Sequence, residues 1–152
     1  MEDLLTGTIN SVLLEEAVSK NSCVWARVRG KSMLPVFGGY AVVCITESSF
    51  KDICVGDIAV YKKEEGLICH RVLSKLRLNG KLFLRTKADT GFHFDPLVEP
   101  QEVIGKIAAL KIRNFKFKID NLLSRVAGLF LAFFFPFIAR SKFIFESLLR
   151  KI

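Results

Sequence analysis

The chain has 152 residues, a length that suits one domain or one domain with a tail. Hydrophobic residues make up 51% and charged residues 25%, so the composition excludes an intrinsically disordered chain. The formal charge of +8 is concentrated in residues 111–152, which hold nine basic and two acidic residues and nine of the 14 phenylalanines. This pairing favours an anionic membrane surface over nucleic acid as a partner.

The N-terminal region and the cysteines bear on cellular location. The chain begins with acidic residues and lacks a basic stretch followed by an apolar core, so we expect no secretory signal peptide. The cysteines, at positions 23, 44, 54 and 69, form no CxxC pair and have no histidine at zinc-ligand spacing. We therefore expect reduced, mostly buried thiols, no metal, no cofactor, and the cytoplasmic face of a membrane as the location.

The hydrophobic pattern predicts an N-terminal helix followed by a mainly β body. Apolar residues at helical spacing over 4–18 predict one amphipathic helix. From residue 24 the period changes to two, and short strands are predicted at 24–29, 40–46, 57–61, 67–73 and 103–112, with a hairpin turn at Asn79-Gly80. Tight turns without a βαβ rhythm indicate a mainly antiparallel β body.

The segment from about residue 114 onward predicts apolar and basic helices. Residues 126–139 form an uncharged run of 14 residues that contains Pro136 and lies between Arg125 and Arg140. Because a spanning helix needs about 20 apolar residues, an interfacial or re-entrant segment is favoured, while a true span and a core helix stay open. The predicted parts are a helix at 1–20, a β domain at 21–113 and a membrane-associating tail at 114–152; the oligomeric state stays open.

A serine and a histidine stand where nucleophilic catalysis would need them. Ser32 lies between a strand end at Gly30 and Pro35, so we expect it on a constrained turn whose backbone N–H groups, including its own, can stabilise an oxyanion. His70 lies within the apolar strand LICHRV, where a buried imidazole needs a partner. Taken singly, both residues also fit an ordinary turn and a structural histidine.

Two carboxylates, Asp89 and Asp95, are candidates for orienting His70, because an acceptor at Nδ1 stabilises the imidazolium. Both also fit structural turn positions. Cys69 should point to the opposite face of the strand from His70, which argues against a thiol dyad. His93, in a loop-like stretch, is a weaker candidate base.

Taken in order, the segments GKSMLP, GDIAVYKKEEGLICHRV, TKADTGFHFDP and VIGKI resemble the signal peptidase family of serine endopeptidases over about residues 24–110. The closer resemblance is to the branch typical of archaea and the endoplasmic reticulum, which has His where bacterial leader peptidases have Lys before Arg-Val. It implies a folded antiparallel β body, Ser32 as nucleophile, His70 as general base and Asp95 as orienting acid, with Asp89 in or near the site. This chain has Gly30 where the family usually has a serine.

The resemblance implies an enzyme that cleaves a leader or signal segment from a peptide precursor at a membrane, with small residues at positions −1 and −3. Met33, Val24 and Tyr40 are the residues expected to line those pockets. A non-catalytic peptide-binding module of the same fold and a lipid-surface adaptor are the alternatives. Self-cleaving repressor peptidases use a lysine base, here Lys62 or Lys63, but residues before 24 are too few for a DNA-binding helix-turn-helix, so we do not expect a repressor.

Overall fold

The computed structural model describes residues 11–39, 41–63, 66–112 and 115–149. In this part of the chain seven strands form an antiparallel sheet, with one helix before them in sequence and another after them, which confirms the predicted mainly β fold. The elements in chain order are α1 (Ser11–Lys20), β1 (Val24–Arg27), β2 (Val42–Glu47), β3 (Ile58–Lys63), β4 (Gly66–Leu78), β5 (Lys81–Lys87), a 3₁₀ turn (Pro100–Glu102), β6 (Val103–Ile112), β7 (Phe115–Lys118) and α2 (Leu122–Leu149).

The strands pair antiparallel in the order β1-β2-β6-β3-β4-β5. β6 pairs with three strands: β2 lies along one of its edges, and β3 and then β7 lie along the other. Pairing of β3 with β4 places Ala59 opposite His70, and pairing of β4 with β5 places Arg71 opposite Lys87. The segment after β5, which carries Asp89 and Asp95, therefore begins beside His70 and Arg71 of β4.

The central strands β3 and β4 are buried on both faces. Val60 and Cys69 belong to a core cluster that also contains residues of α1, whereas Ala59 and Val72 belong to a second cluster on the other face. Strands covered on both sides carry apolar residues at consecutive positions, which explains their continuous apolar runs. Since neighbours on a strand point to opposite faces, His70 and Arg71 lie on different faces of β4.

The predicted hairpin at Asn79-Gly80 is confirmed. Leu78 pairs with Lys81, and the two residues between them have φ angles of 50° and 78°. Positive φ at both central positions is the requirement of a type I′ turn, for which Asn-Gly is the preferred dipeptide.

The prediction of four reduced thiols is wrong, because Cys23 and Cys44 form a disulfide. Cys23 directly precedes β1 and Cys44 lies on β2, and the pairing of Val24 with Ile45 brings the two Cα atoms to 5.8 Å. That contact depends on strand register, which cysteine spacing does not reveal. Cys69 is buried, as expected, whereas Cys54 is exposed.

The C-terminal segment begins as part of the sheet and continues as one long helix. Residues 115–118, assigned to the tail by composition, form β7 on the edge of β6. The helix α2 then runs for 28 residues with Pro136 inside it. Among the described residues, neither helix combines the length and the apolarity that crossing a bilayer requires.

Helix α2 packs against the β body with one side, which carries small or compact residues. Gly128, Ala132 and Pro136 recur every four residues and are buried. The other side exposes a row of large apolar side chains, which we call the α2 apolar face: Leu122, Leu123, Val126, Phe130, Phe133, Phe134, Phe137 and Ile138. The two sets lie on opposite sides of a helix with 3.6 residues per turn.

Candidate active site

Ser32 lies in a loop whose two ends are tied together. Gly30 and Gly39 have φ angles of 112° and 70°, and the Gly39 N–H donates to the Gly30 carbonyl over 2.7 Å. Both angles belong to conformations that glycine adopts readily and side chains disfavour. Met33, next to Ser32, is fully buried in the core. The loop is thus fixed at its base and at the residue beside the hydroxyl.

The Ser32 hydroxyl reaches the histidine that the sequence singled out. Ser32 Oγ and His70 Nε2 are 3.0 Å apart, and both residues are buried. On the other side of the ring, His70 Nδ1 lies 2.8 Å from Asp95 Oδ2. The three side chains form a continuous hydroxyl–imidazole–carboxylate chain, which is the geometry required for a serine nucleophile with an oriented base.

Asp95 is held by two further hydroxyl groups. Its Oδ2 accepts hydrogen bonds from Thr86 Oγ1 over 2.8 Å and from the Tyr61 hydroxyl over 3.2 Å, and the Asp95 N–H donates to the Thr86 carbonyl. Burial raises the pKa of Asp95, but the hydrogen bond and the charge of His70, with the bonds from Thr86 and Tyr61, outweigh burial and leave that pKa below its ordinary value. Asp95 therefore stays an acceptor for the Nδ1 proton.

Tyr61 and Thr86 were not identified from the sequence. Tyr61 ends the apolar run of β3, and Thr86 lies near the end of β5, so each looks like an ordinary strand residue. Their hydroxyls are 3.0 Å apart, and burial, with the nearby Asp95 charge, raises the pKa of Tyr61. The one signal in the sequence was a tyrosine at the end of an apolar strand, since a tyrosine buried there usually has a partner for its hydroxyl.

Asp89 has a different partner. Its two carboxylate oxygens accept from Arg71 Nε and Nη2 over 2.8 and 2.6 Å, and Arg71 Nη1 donates to the Gly56 carbonyl over 2.9 Å. Burial raises the pKa of Asp89, while the bidentate bonds from Arg71 oppose that shift. Of the two candidate acids, the structure brings Asp95 to His70 and Asp89 to Arg71.

Thr90 makes a contact with Ser32 that the sequence did not indicate. The Thr90 N–H and hydroxyl both donate to the Ser32 carbonyl, over 2.9 and 3.1 Å. The carbonyl side of the Ser32 backbone is thereby fixed to the turn that follows β5. The loop position of Ser32 thus depends on residues from the other end of the sheet.

The three residues expected to line a substrate pocket, Met33, Val24 and Tyr40, are not brought together by the described part of the structure. Met33 has no exposed surface and packs in the core, and its part in substrate binding stays a prediction. Val24 is half-buried against the same core, opposite Ile45, and Tyr40 lies outside the described residues.

The weaker candidates for a base lie away from Ser32. His93 is exposed in the loop after β5. Lys62 and Lys63 form ion pairs with Glu15 and Glu102 at the far end of β3 from Ala59. Within the described ranges, no group of three His, Cys, Asp or Glu side chains is arranged to hold a metal ion.

Comparison of the chain with protein-family models, with curated proteins and with solved structures found no match. The function of this chain is therefore inferred from the geometry of Ser32, His70 and Asp95 and from the residue patterns around them.

Proposed function

We propose that this protein is a serine endopeptidase that cleaves a leader or signal segment from a peptide precursor. The observation that carries the proposal is the contact of Ser32 Oγ with His70 Nε2 at 3.0 Å, with Nδ1 of the same ring 2.8 Å from Asp95. The order of the segments around these residues, which resembles the signal peptidase family, supports a leader peptide as the substrate.

In the proposed reaction Ser32 is the nucleophile, His70 moves the protons and Asp95 orients His70. Neutral His70 takes the Ser32 proton on Nε2 as Oγ attacks the peptide carbonyl carbon, while Asp95 holds the Nδ1 proton. When the tetrahedral intermediate collapses, the C–N bond breaks and His70 gives its proton to the leaving amine. A water molecule, deprotonated by His70, then attacks the acyl carbon; the bond from that carbon to Ser32 Oγ breaks, and His70 returns the proton to Oγ. Asp95 remains a carboxylate throughout.

We further propose that an anionic membrane surface is the place of cleavage. The α2 apolar face exposes Phe130, Phe133, Phe134 and Phe137 by 55–66% each, and Lys116, Lys118 and Arg140 are exposed nearby in sequence. Apolar side chains on one face of a helix, flanked by cations, are typical of helices that lie in the interface of anionic lipid.

The decisive experiment for catalysis is cleavage of a mixed peptide library in the presence of anionic vesicles. Ser32→Ala and His70→Ala should each reduce cleavage by about 10³-fold or more without loss of fold. Ser48→Ala and His93→Ala are matched controls, since Ser48 is as buried as Ser32, at 8% exposure each, and His93 is exposed. Absence of cleavage by folded wild-type protein across pH 6–9 would reject catalysis and favour a peptide-binding module.

Membrane association is tested separately by co-sedimentation with vesicles. The double variant Phe130→Ser, Phe134→Ser should lower partitioning into phosphatidylglycerol vesicles by about tenfold or more, because both rings are more than half exposed. Leu13→Ser with Leu78→Ser removes exposed apolar groups elsewhere and should leave partitioning unchanged. Equal partitioning of wild type and the phenylalanine variant would contradict the proposed membrane face.

A further inference from the structure

Lys87, on β5, is a buried lysine whose ammonium is held by backbone carbonyls. Its Nζ donates to Ala88, Gly91 and Ala132 over 3.0, 2.7 and 2.6 Å, and the residue is 4% exposed. Three acceptors match the three protons of an ammonium. Burial lowers the pKa of Lys87, while nearby carboxylates raise it.

The Ala132 carbonyl is available because of Pro136. In a helix the carbonyl of residue 132 accepts from the N–H of residue 136, and proline has no N–H. Ala132 is completely buried, so without another donor its carbonyl would be left unsatisfied away from water. Lys87 supplies that donor from the sheet, and the only proline inside α2 stands where it frees this acceptor.

The same ammonium fixes the turn of residues 88–91, which we call the 88–91 turn. Lys87 bonds the carbonyls of both its first and last residues, and the Gly91 N–H closes the turn on the Ala88 carbonyl over 3.1 Å. Thr90, within this turn, donates twice to the Ser32 carbonyl. Direct contacts thus connect α2, Lys87, the 88–91 turn and Ser32.

We propose that Lys87 is a positioning residue for the candidate active site, and that Pro136 creates the anchor on α2 through which it acts. The proposal rests on the proposed function of Ser32 and adds to it that α2 takes part in setting the geometry of the nucleophile. The three protons of the Lys87 ammonium go to the carbonyls of Ala88, Gly91 and Ala132, so its effect on Ser32 passes through the backbone of the 88–91 turn.

Adjacent contacts place α2 firmly enough for this role. Arg125 donates to Asp57 over 2.5 Å, and Gly128 lies against the Arg71 guanidinium so closely that an added Cβ would overlap it. With Ala132, these residues give α2 one contact to the body per helical turn from 125 to 132. The carbonyl that Lys87 binds is therefore part of a fixed helix.

The test compares Lys87→Met, Pro136→Ala and Pro136→Gly. Both Pro136 variants restore the competing N–H, and both favour the helix relative to proline, alanine by more than glycine. We expect all three to lower kcat by roughly tenfold to a hundredfold with KM changed less than about threefold, since a small misplacement of the nucleophile has effects of this size. Lys75→Met, which removes an ammonium bonded to the carbonyls of Phe50 and Lys51, is the matched control and should leave kcat unchanged.

Hydrogen exchange provides a readout that does not depend on catalysis. In the same three variants the Thr90 amide, bonded to Ser32, should exchange about tenfold faster or more, whereas the Leu84 amide, bonded to Val98, should not change. Unaltered Thr90 exchange and kcat in both Pro136 variants would overturn the proposal, even if Lys87→Met fails to fold. Faster Thr90 exchange in a protein whose wild type cleaves nothing would support the positioning role and reject the proposed function alone.

Discussion

Two polar networks leave β4 from neighbouring residues, and they differ in what their groups can do. His70 contacts a hydroxyl and a carboxylate, and its side chain and that of Asp95 are 8% and 20% exposed. Arg71 makes bidentate bonds to Asp89, with side chains 3% and 0% exposed. The first network contains groups that can exchange protons near solvent, whereas the second contains a permanent cation and its counter-ion beneath α2. A buried charged residue beside a catalytic candidate is thus not itself a sign of catalysis.

The largest expected effect is the loss of kcat on replacing Asp95, the carboxylate of the His70 network. In Asp95→Asn, the amide can donate to His70 Nδ1, which leaves the proton on Nε2 and prevents that nitrogen from accepting from Ser32. We expect kcat to fall by roughly 10³- to 10⁴-fold while the protein stays folded, as judged by circular dichroism. Retention of most activity would show that Asp95 does not orient the base.

Changes to the Arg71–Asp89 network should lower the free energy of unfolding. Arg71→Ala leaves the Asp89 carboxylate buried without its bidentate partner, and we expect a loss of about 3–5 kcal/mol in the free energy of unfolding, measured with urea. Lys20→Ala removes the exposed pair with Glu16 and should cost about 0.5 kcal/mol or less. A small effect of Arg71→Ala would mean that water reaches Asp89 and that α2 does not seal this network.

Gly30 stands where the signal peptidase family usually has a serine. The family pattern suggests that Gly30→Ser would add a hydroxyl near Ser32, but Gly30 has φ of 112° and bonds Gly39 at the base of the loop. We expect Gly30→Ser to lower the free energy of unfolding by about 1–2 kcal/mol and not to raise kcat. A faster and equally stable variant would show that the loop accepts a side chain there.

The smallest expected effect is the pH dependence of stability from Asp95. Its pKa in the folded protein lies below the ordinary value of about 3.9, so it stabilises the fold above that pH, and this contribution is lost as pH falls through the lower, folded-state pKa. The stability difference between wild type and Asp95→Asn should therefore shrink from pH 7 to pH 2 in urea titrations. A difference independent of pH would contradict the lowered pKa.

The residues themselves predicted the fold and a partner for His70, whereas the choice of Ser32 as nucleophile and of Asp95 over Asp89 came from the family resemblance. Strand periodicity and the Asn79-Gly80 turn are local signals, and a histidine in an apolar strand requires a partner wherever it folds. No short pattern showed that Met33, beside Ser32, anchors its loop in the core. Thr86, Thr90 and Lys87 escaped notice because their roles depend on cross-strand register and on α2, which no short pattern encodes.

The adjacency of His70 and Arg71 on β4 also has a consequence for folding accuracy. A one-residue slip of β4 against β3 would exchange the faces of all its side chains. The guanidinium would then point toward the Asp95 side and the imidazole toward Asp89. The His70–Asp95 and Arg71–Asp89 contacts would both be lost. The paired networks thereby penalise the nearest wrong register, and the residues that form the candidate active site also help the sheet to select its native alignment.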